Sequence, residues 1–157
     1  MFVSAQADGG TKYVGYTYKG VVPEATLPNG VKHLGGALIG DIDTDPVYGI
    51  SQVEIGKTKM LWLEISTGQN ASGVTGWKVL DVLSFSSLSS RDHLFFYGAP
   101  AIDCRRNGGE IENLVGFGRI DRKRSKFNPT KLWIANLKTK RFETISTLKV
   151  TCLYSEP

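Results

Sequence analysis

The chain has 157 residues, 41% apolar, 22% charged and 10% aromatic, with 19 Lys and Arg against 15 Asp and Glu for a net charge of +4. At roughly 150 residues per domain this is one domain, able to bury about 68–70% of its unfolded surface. The composition excludes a disordered chain, a fibre and a disulfide-dense mini-protein, and no apolar run approaches the roughly 18 residues of a membrane helix, so no membrane insertion is expected.

Residues 1–8 (MFVSAQAD) lack the basic start and apolar centre of a working signal peptide. Ala5-Gln6-Ala7 nevertheless has the small-x-small spacing that precedes a signal-peptidase cut. It marks either a clipped leader or a short flexible tail ahead of a single all-β domain over residues 9–157.

Strand signals dominate that domain, because Gly and Pro recur every eight to twelve residues between β-branched and aromatic runs. Residues 11–19 (TKYVGYTYK) read as a first strand. Residues 23–40 hold two prolines and four glycines, helix evidence there is thin, and any helix would be one or two turns. Residues 50–55 and 60–65 flank a Gly-containing turn and form a hairpin. Period two places Leu61, Leu63 and Ile65 on one face of the second arm, with Trp62 and Glu64 on the other. Residues 68–76 are a polar glycine-rich loop. In the strand over residues 77–85, Trp77, Val79, Leu83 and Phe85 share a face, with Asp81 among them.

After a serine-rich connection, His93 leads into an apolar run to Tyr97, broken by Pro100. Asn107-Gly108-Gly109 is a strong turn signal and predicts a hairpin between residues 101–106 and 110–120. Residues 132–137 and 141–145 form another around Lys138-Thr139-Lys140. A last strand over residues 149–154 puts Val150, Cys152 and Tyr154 on one face. The expected fold is an antiparallel sandwich or barrel of about ten strands with little helix.

Charge divides the chain. Residues 1–100 carry seven Lys and Arg against nine Asp and Glu, a net of −2; residues 101–157 carry twelve against six, a net of +6. Arg119, Arg122, Lys123, Arg124, Lys126, Lys138, Lys140 and Arg141 are therefore the candidate residues for docking an anionic partner. Phe117 and Phe127 flank the first five of these, and cations with aromatics can track phosphates and stack bases. The βαββαβ layout of an RNA-recognition domain is missing.

Cys104 and Cys152 are the candidate disulfide. Two cysteines without nearby histidines make an incomplete zinc set, and a bonded pair would suit an exported protein. Two unconnected buried thiols are the alternative. Asp41, Asp43 and Asp45 alternate as in the start of a calcium loop, but Pro46 and Gln52 replace its glycine and its bidentate glutamate. Calcium is thus the one cofactor to consider, ordinary turn formation being the competing role. Serines are plentiful, yet there is no G-x-S-x-G elbow, phosphate loop or H-E-x-x-H helix. His33 and His93 are the only histidines, and surface or structural roles suit both.

The tryptophan strand at Trp133, the polar turn, the basic-Phe pair Arg141-Phe142 and the closing Val150-Thr151-Cys152 resemble the C-terminus of small exported bacterial β-proteins of unknown function. Residues 77–83, with Cys104 some twenty positions beyond, are similar to the same pattern, so the resemblance covers residues 77–152. It implies export, periplasmic or secreted, and a Cys104–Cys152 bridge, and supplies no activity. Three functions follow as expectations: an exported module that binds a protein, glycan or anionic surface; an intracellular nucleic-acid-binding β-domain using residues 119–126; and a hydrolase built on a Ser/His pair.

Overall fold

A computed structural model of the chain describes residues 12–20, 27–28, 30–96 and 101–155. The proposed tail over residues 1–8, the Ala5-Gln6-Ala7 signal, Tyr97 and Pro100 lie outside the described residues. Those that are described form an all-β fold of antiparallel sheets, as expected, with twelve strands where about ten were read. Neither sheet closes into a barrel. The chain separates into two compact units, Met1–Ser87 with Leu137–Arg141, and Leu88–Asn136 with Phe142–Pro157.

The first unit is a five-stranded sheet of β1 (Thr17–Lys19), β2 (Lys32–Ile39), β3 (Tyr48–Ile55), β4 (Thr58–Gln69) and β5 (Thr75–Phe85), ordered β1-β5-β4-β3-β2. The expected hairpin is present, and β3 and β4 pair from Ile55↔Thr58 to Tyr48↔Ile65. Leu61, Trp62 and Leu63 are all fully buried, so β4 is covered on both faces and reads in sequence as an unbroken apolar run. One face gathers Val53, Met60, Trp62, Val79 and Val82 under Tyr13 and Tyr18. Directly opposed residues project to the same side, so Gly49, Ser51 and Glu64 belong to this face too.

Two expectations for this unit are corrected. The glycine-rich segment before Gly40 is a full strand, β2, running against β3 with a register shift between His33 and Gly35. Gly35 sits at that irregularity with φ of 153°, open only to glycine without strain. Along β5 the strict alternation fails, because the pairing shifts between Leu63/Glu64 on β4, skipping Leu80. Val79 opposes Glu64 and Val82 opposes Trp62, while Asp81 and Leu83 oppose Leu63 and Leu61. The bulge thus moves the second half of β5 onto the other face from Trp77 and Val79.

The second unit holds β6 (His93–Phe96), β7 (Ile102–Arg106), β8 (Gly109–Glu110), β9 (Leu114–Asp121), β10 (Lys126–Asn136), β11 (Arg141–Ile145), which begins in the first unit, and β12 (Val150–Tyr154). The order is β6-β9-β10-β12-β7-β8, with β11 also on β10. Phe95, Leu114, Phe127 and Leu132 pack with Cys104 and Cys152 in its core. The 107–109 turn is real, yet its second arm stops after Arg105↔Glu110 and Arg106↔Gly109. Asn113 takes a positive φ of 54°, and the chain leaves to build β9 between β6 and β10. The basic segment closes the β9–β10 hairpin, Arg122 to Ser125 forming its turn.

Gly116 and Gly118 let β9 lie against β10 beside the register shift between Pro129 and Lys131. A Cβ on Gly118 would run into the Asn128 carbonyl oxygen and the Pro129 Cα, backbone atoms that cannot rotate away. Gly118→Ala is therefore expected to cost about 1–3 kcal/mol, the usual range for overpacking, measured as a lower urea midpoint. An unchanged midpoint would mean that the two strands are not so tightly apposed.

Candidate active site

Each strand of the first sheet contributes one functional side chain to a row across its Trp62 face: Tyr18 from β1, Trp77 from β5, Glu64 from β4, Ser51 from β3 and His33 from β2. The pairing sets the row. Tyr18 lies opposite Trp77, Gly49 opposite Glu64 and Ser51 opposite Trp62, and Gly36 opposite Ser51. Glycines at positions 35, 36 and 49 leave room where other residues would fill the face, and a cavity of about 470 Å³ opens there. Leu34 and Leu38 stand exposed at its rim. A second cavity of about 390 Å³ shares Leu38 and Trp77 with it.

Glu64 is 2% exposed. Its Oε2 accepts a hydrogen bond from the Tyr18 hydroxyl, while its Oε1 is buried without a hydrogen-bond partner among the described residues. Burial holds the Glu64 carboxyl above the usual carboxylate range, partly opposed by the nearby Ser51 and Tyr18 hydroxyls. Tyr18 is pushed far up by burial, then by the Glu64 charge. His33 Nε2 meets Ser51 Oγ at 3.1 Å, and burial lowers the imidazole pKa, so His33 is neutral at pH 7. Its Nδ1 also lacks a partner. Unmade hydrogen bonds on buried polar atoms are uncommon and costly, and two of them belong to this one row.

The row contains a hydroxyl between an imidazole and a carboxyl, which differs from a hydrolytic triad. There the carboxylate orients the imidazole; here Ser51 Oγ meets His33 Nε2 and, among the described residues, nothing orients Nδ1. As a binding site the arrangement is more complete: apolar walls, a few convergent polar groups and a volume within the roughly 300–1,000 Å³ of ligand pockets.

Of the residues named from sequence, His33 lines this cavity beside the Ser51 hydroxyl; the basic, acidic and cysteine candidates are elsewhere. Arg119, Arg122, Lys123, Arg124 and Lys126 are exposed on the β9–β10 hairpin of the second unit, whereas Lys138, Lys140 and Arg141 belong to the first. Arg119 faces Asp92 at 3.6 Å and Arg124 faces Asp121 at 3.9 Å. Phe117 and Phe127 are corrected outright as base-stacking candidates: they are 3% and 2% exposed, packed against Trp133 and Phe95. Asp41, Asp43 and Asp45 are not drawn into one ligand set, and among the described residues no three His, Cys, Asp or Glu side chains converge as a metal site would need. Asp41 Oδ1 instead accepts the Asp43 amide at 2.9 Å, an ordinary turn role, and Asp45 lines the second cavity. Cys104 and Cys152 are bonded to each other.

Sequence reasoning placed Glu64 on the correct face but missed its role. The available signal was a carboxyl inside the apolar run Met60-Leu61-Trp62-Leu63-Glu64-Ile65, since charged residues are almost never fully buried without a partner. Comparison of the chain with protein-family models, curated proteins and solved structures gives no match.

Proposed function

We propose that the chain is an exported ligand-binding module whose site is the cavity on the five-stranded sheet. One observation carries the reading: a fully buried carboxyl lining that cavity keeps an acceptor oxygen with no partner among the described residues. An unsatisfied polar group is a cost to folding that a ligand can remove on binding. The Cys104–Cys152 bond is consistent with export, because disulfides persist in oxidising compartments.

This reading moves the site away from the basic hairpins. Their cations remain available to an anionic partner, but the aromatic surface that nucleic-acid binding would add is absent at Phe117 and Phe127. Amide chemical-shift mapping with a small-fragment library separates the two. Fragments are expected to perturb His33, Gly36, Gly49, Ser51 and the Trp77 indole. Hits that shift only Arg122, Lys123 and Arg124, or a library that leaves the cavity resonances unmoved, would overturn the reading.

A further inference from the structure

We propose that the ligand of this cavity carries an ammonium group on an apolar body, the ammonium seated against Glu64; the proposal rests on reading the cavity as a ligand site. The base of the cavity asks for donors. An ionised carboxyl only accepts hydrogen bonds, and an ammonium offers three donors and no acceptor. Glu64 Oε1 is the vacant acceptor, and Oε2 is already held by Tyr18.

The charge around it has one sign. Among the described residues lining the cavity there is no Lys or Arg, and Tyr18, His33 and Glu64 are the titratable ones. This holds in a chain whose net charge is +4. A carboxylate or phosphate ligand would meet Glu64 with no counter-ion, whereas an ammonium meets a carboxylate already oriented by Tyr18. The neutral imidazole of His33 adds no competing cation. Leu34, Leu38, Ile50 and Trp77 supply the apolar wall for the body.

The proton balance is simple. Burial raises the pKa of the carboxyl in the empty cavity; when the ammonium enters, whatever fraction of Glu64 is protonated gives up its proton to solvent and the carboxylate–ammonium pair remains. No other bond forms or breaks.

Calorimetric titration at pH 7 with hexylamine, hexanol and hexanoate tests this, alongside amide shifts of Gly36, Gly49 and Trp77. Hexylamine is expected to bind about tenfold or more tightly than hexanol, the usual gain of a charge-assisted hydrogen bond, and hexanoate most weakly. Lowering the pH toward the carboxylate range should make the hexylamine heat depend increasingly on the ionisation enthalpy of the buffer, as a growing protonated fraction of Glu64 is released on binding, a wild-type signature that needs no variant. Glu64→Gln, folded by its amide spectrum, should reduce hexylamine to the affinity of hexanol. Hexanol or hexanoate binding as tightly as hexylamine, proton uptake on amine binding, or an amine preference that survives Glu64→Gln would overturn the ammonium assignment while leaving the ligand site standing. If none of the three shifts the cavity resonances, the ligand-site reading itself falls.

Discussion

Removing the Cys104–Cys152 bond is expected to cost the protein about 4 kcal/mol, from the chain-entropy cost of closing a loop of this length. The bond spans 48 positions, and the unfolded chain is correspondingly freer without it. A domain of this kind has about 5–15 kcal/mol in total, so the loss is a large fraction. The fold adds a reason for it to be felt. The bonded pair faces across the β7–β12 ladder, yet β12 joins β10 through the Lys126↔Leu153 and Phe127↔Cys152 pairs. The edge β8-β7-β12 therefore has little ladder to fasten it, and both cysteines, 7% and 2% exposed, sit in the core with Phe127. Urea unfolding of the oxidised protein, the reduced protein and the Cys104→Ala, Cys152→Ala double variant measures the effect. Equal midpoints would contradict the loop-closure argument. Free thiols in the denatured, unreduced protein would contradict the bond itself.

What sequence could and could not convey follows from how far apart the cooperating residues lie. The β3–β4 hairpin was legible because apolar residues bracket a Gly turn, and the faces of β4 followed from period two. The reading of β5 failed at Leu80, where one skipped residue reverses every later side chain and leaves no trace in composition. β2 was hidden by Gly35 and Gly36, which depress strand propensity while serving a strand that must leave a cavity. The long arm expected after Gly109 was ended by Asn113 and by pairing with β6 and β10, partners remote in sequence. The candidate site was the least visible part. Tyr18, His33, Ser51, Glu64 and Trp77 come one from each of five strands, so no motif spacing relates them. Only the sheet order β1-β5-β4-β3-β2 brings them into a row. The basic residues, contiguous in sequence and therefore conspicuous, are exposed turns and strand ends instead.

The pH dependence of stability is expected to reverse the usual carboxylate pattern on account of Glu64. Its folded pKa lies above the ordinary value of 4.5 because of burial. From about that pH upward the unfolded chain has lost this proton while the folded chain keeps it, so stability falls as pH rises until the folded pKa is passed. One proton allows a change of at most about tenfold in the unfolding equilibrium per pH unit. His33 acts in the opposite direction. Burial lowers its pKa from 6.5, so below that pH the unfolded chain binds a proton that the folded chain does not, and stability rises with pH there. The Glu64 slope runs from about 4.5 up to its folded pKa, and the His33 slope opposes it below 6.5. Across pH 4 to 9 the wild-type urea midpoint should therefore fall relative to that of Glu64→Gln as pH rises above 4.5, the amide oxygen of the variant still accepting from Tyr18. Parallel profiles for the two proteins would mean that the fold does not raise the Glu64 pKa. The same titration bears on ligand binding, since an ammonium seated on Glu64 lowers its folded pKa. Saturating hexylamine should then reduce this relative decline in the wild type and leave Glu64→Gln as it was.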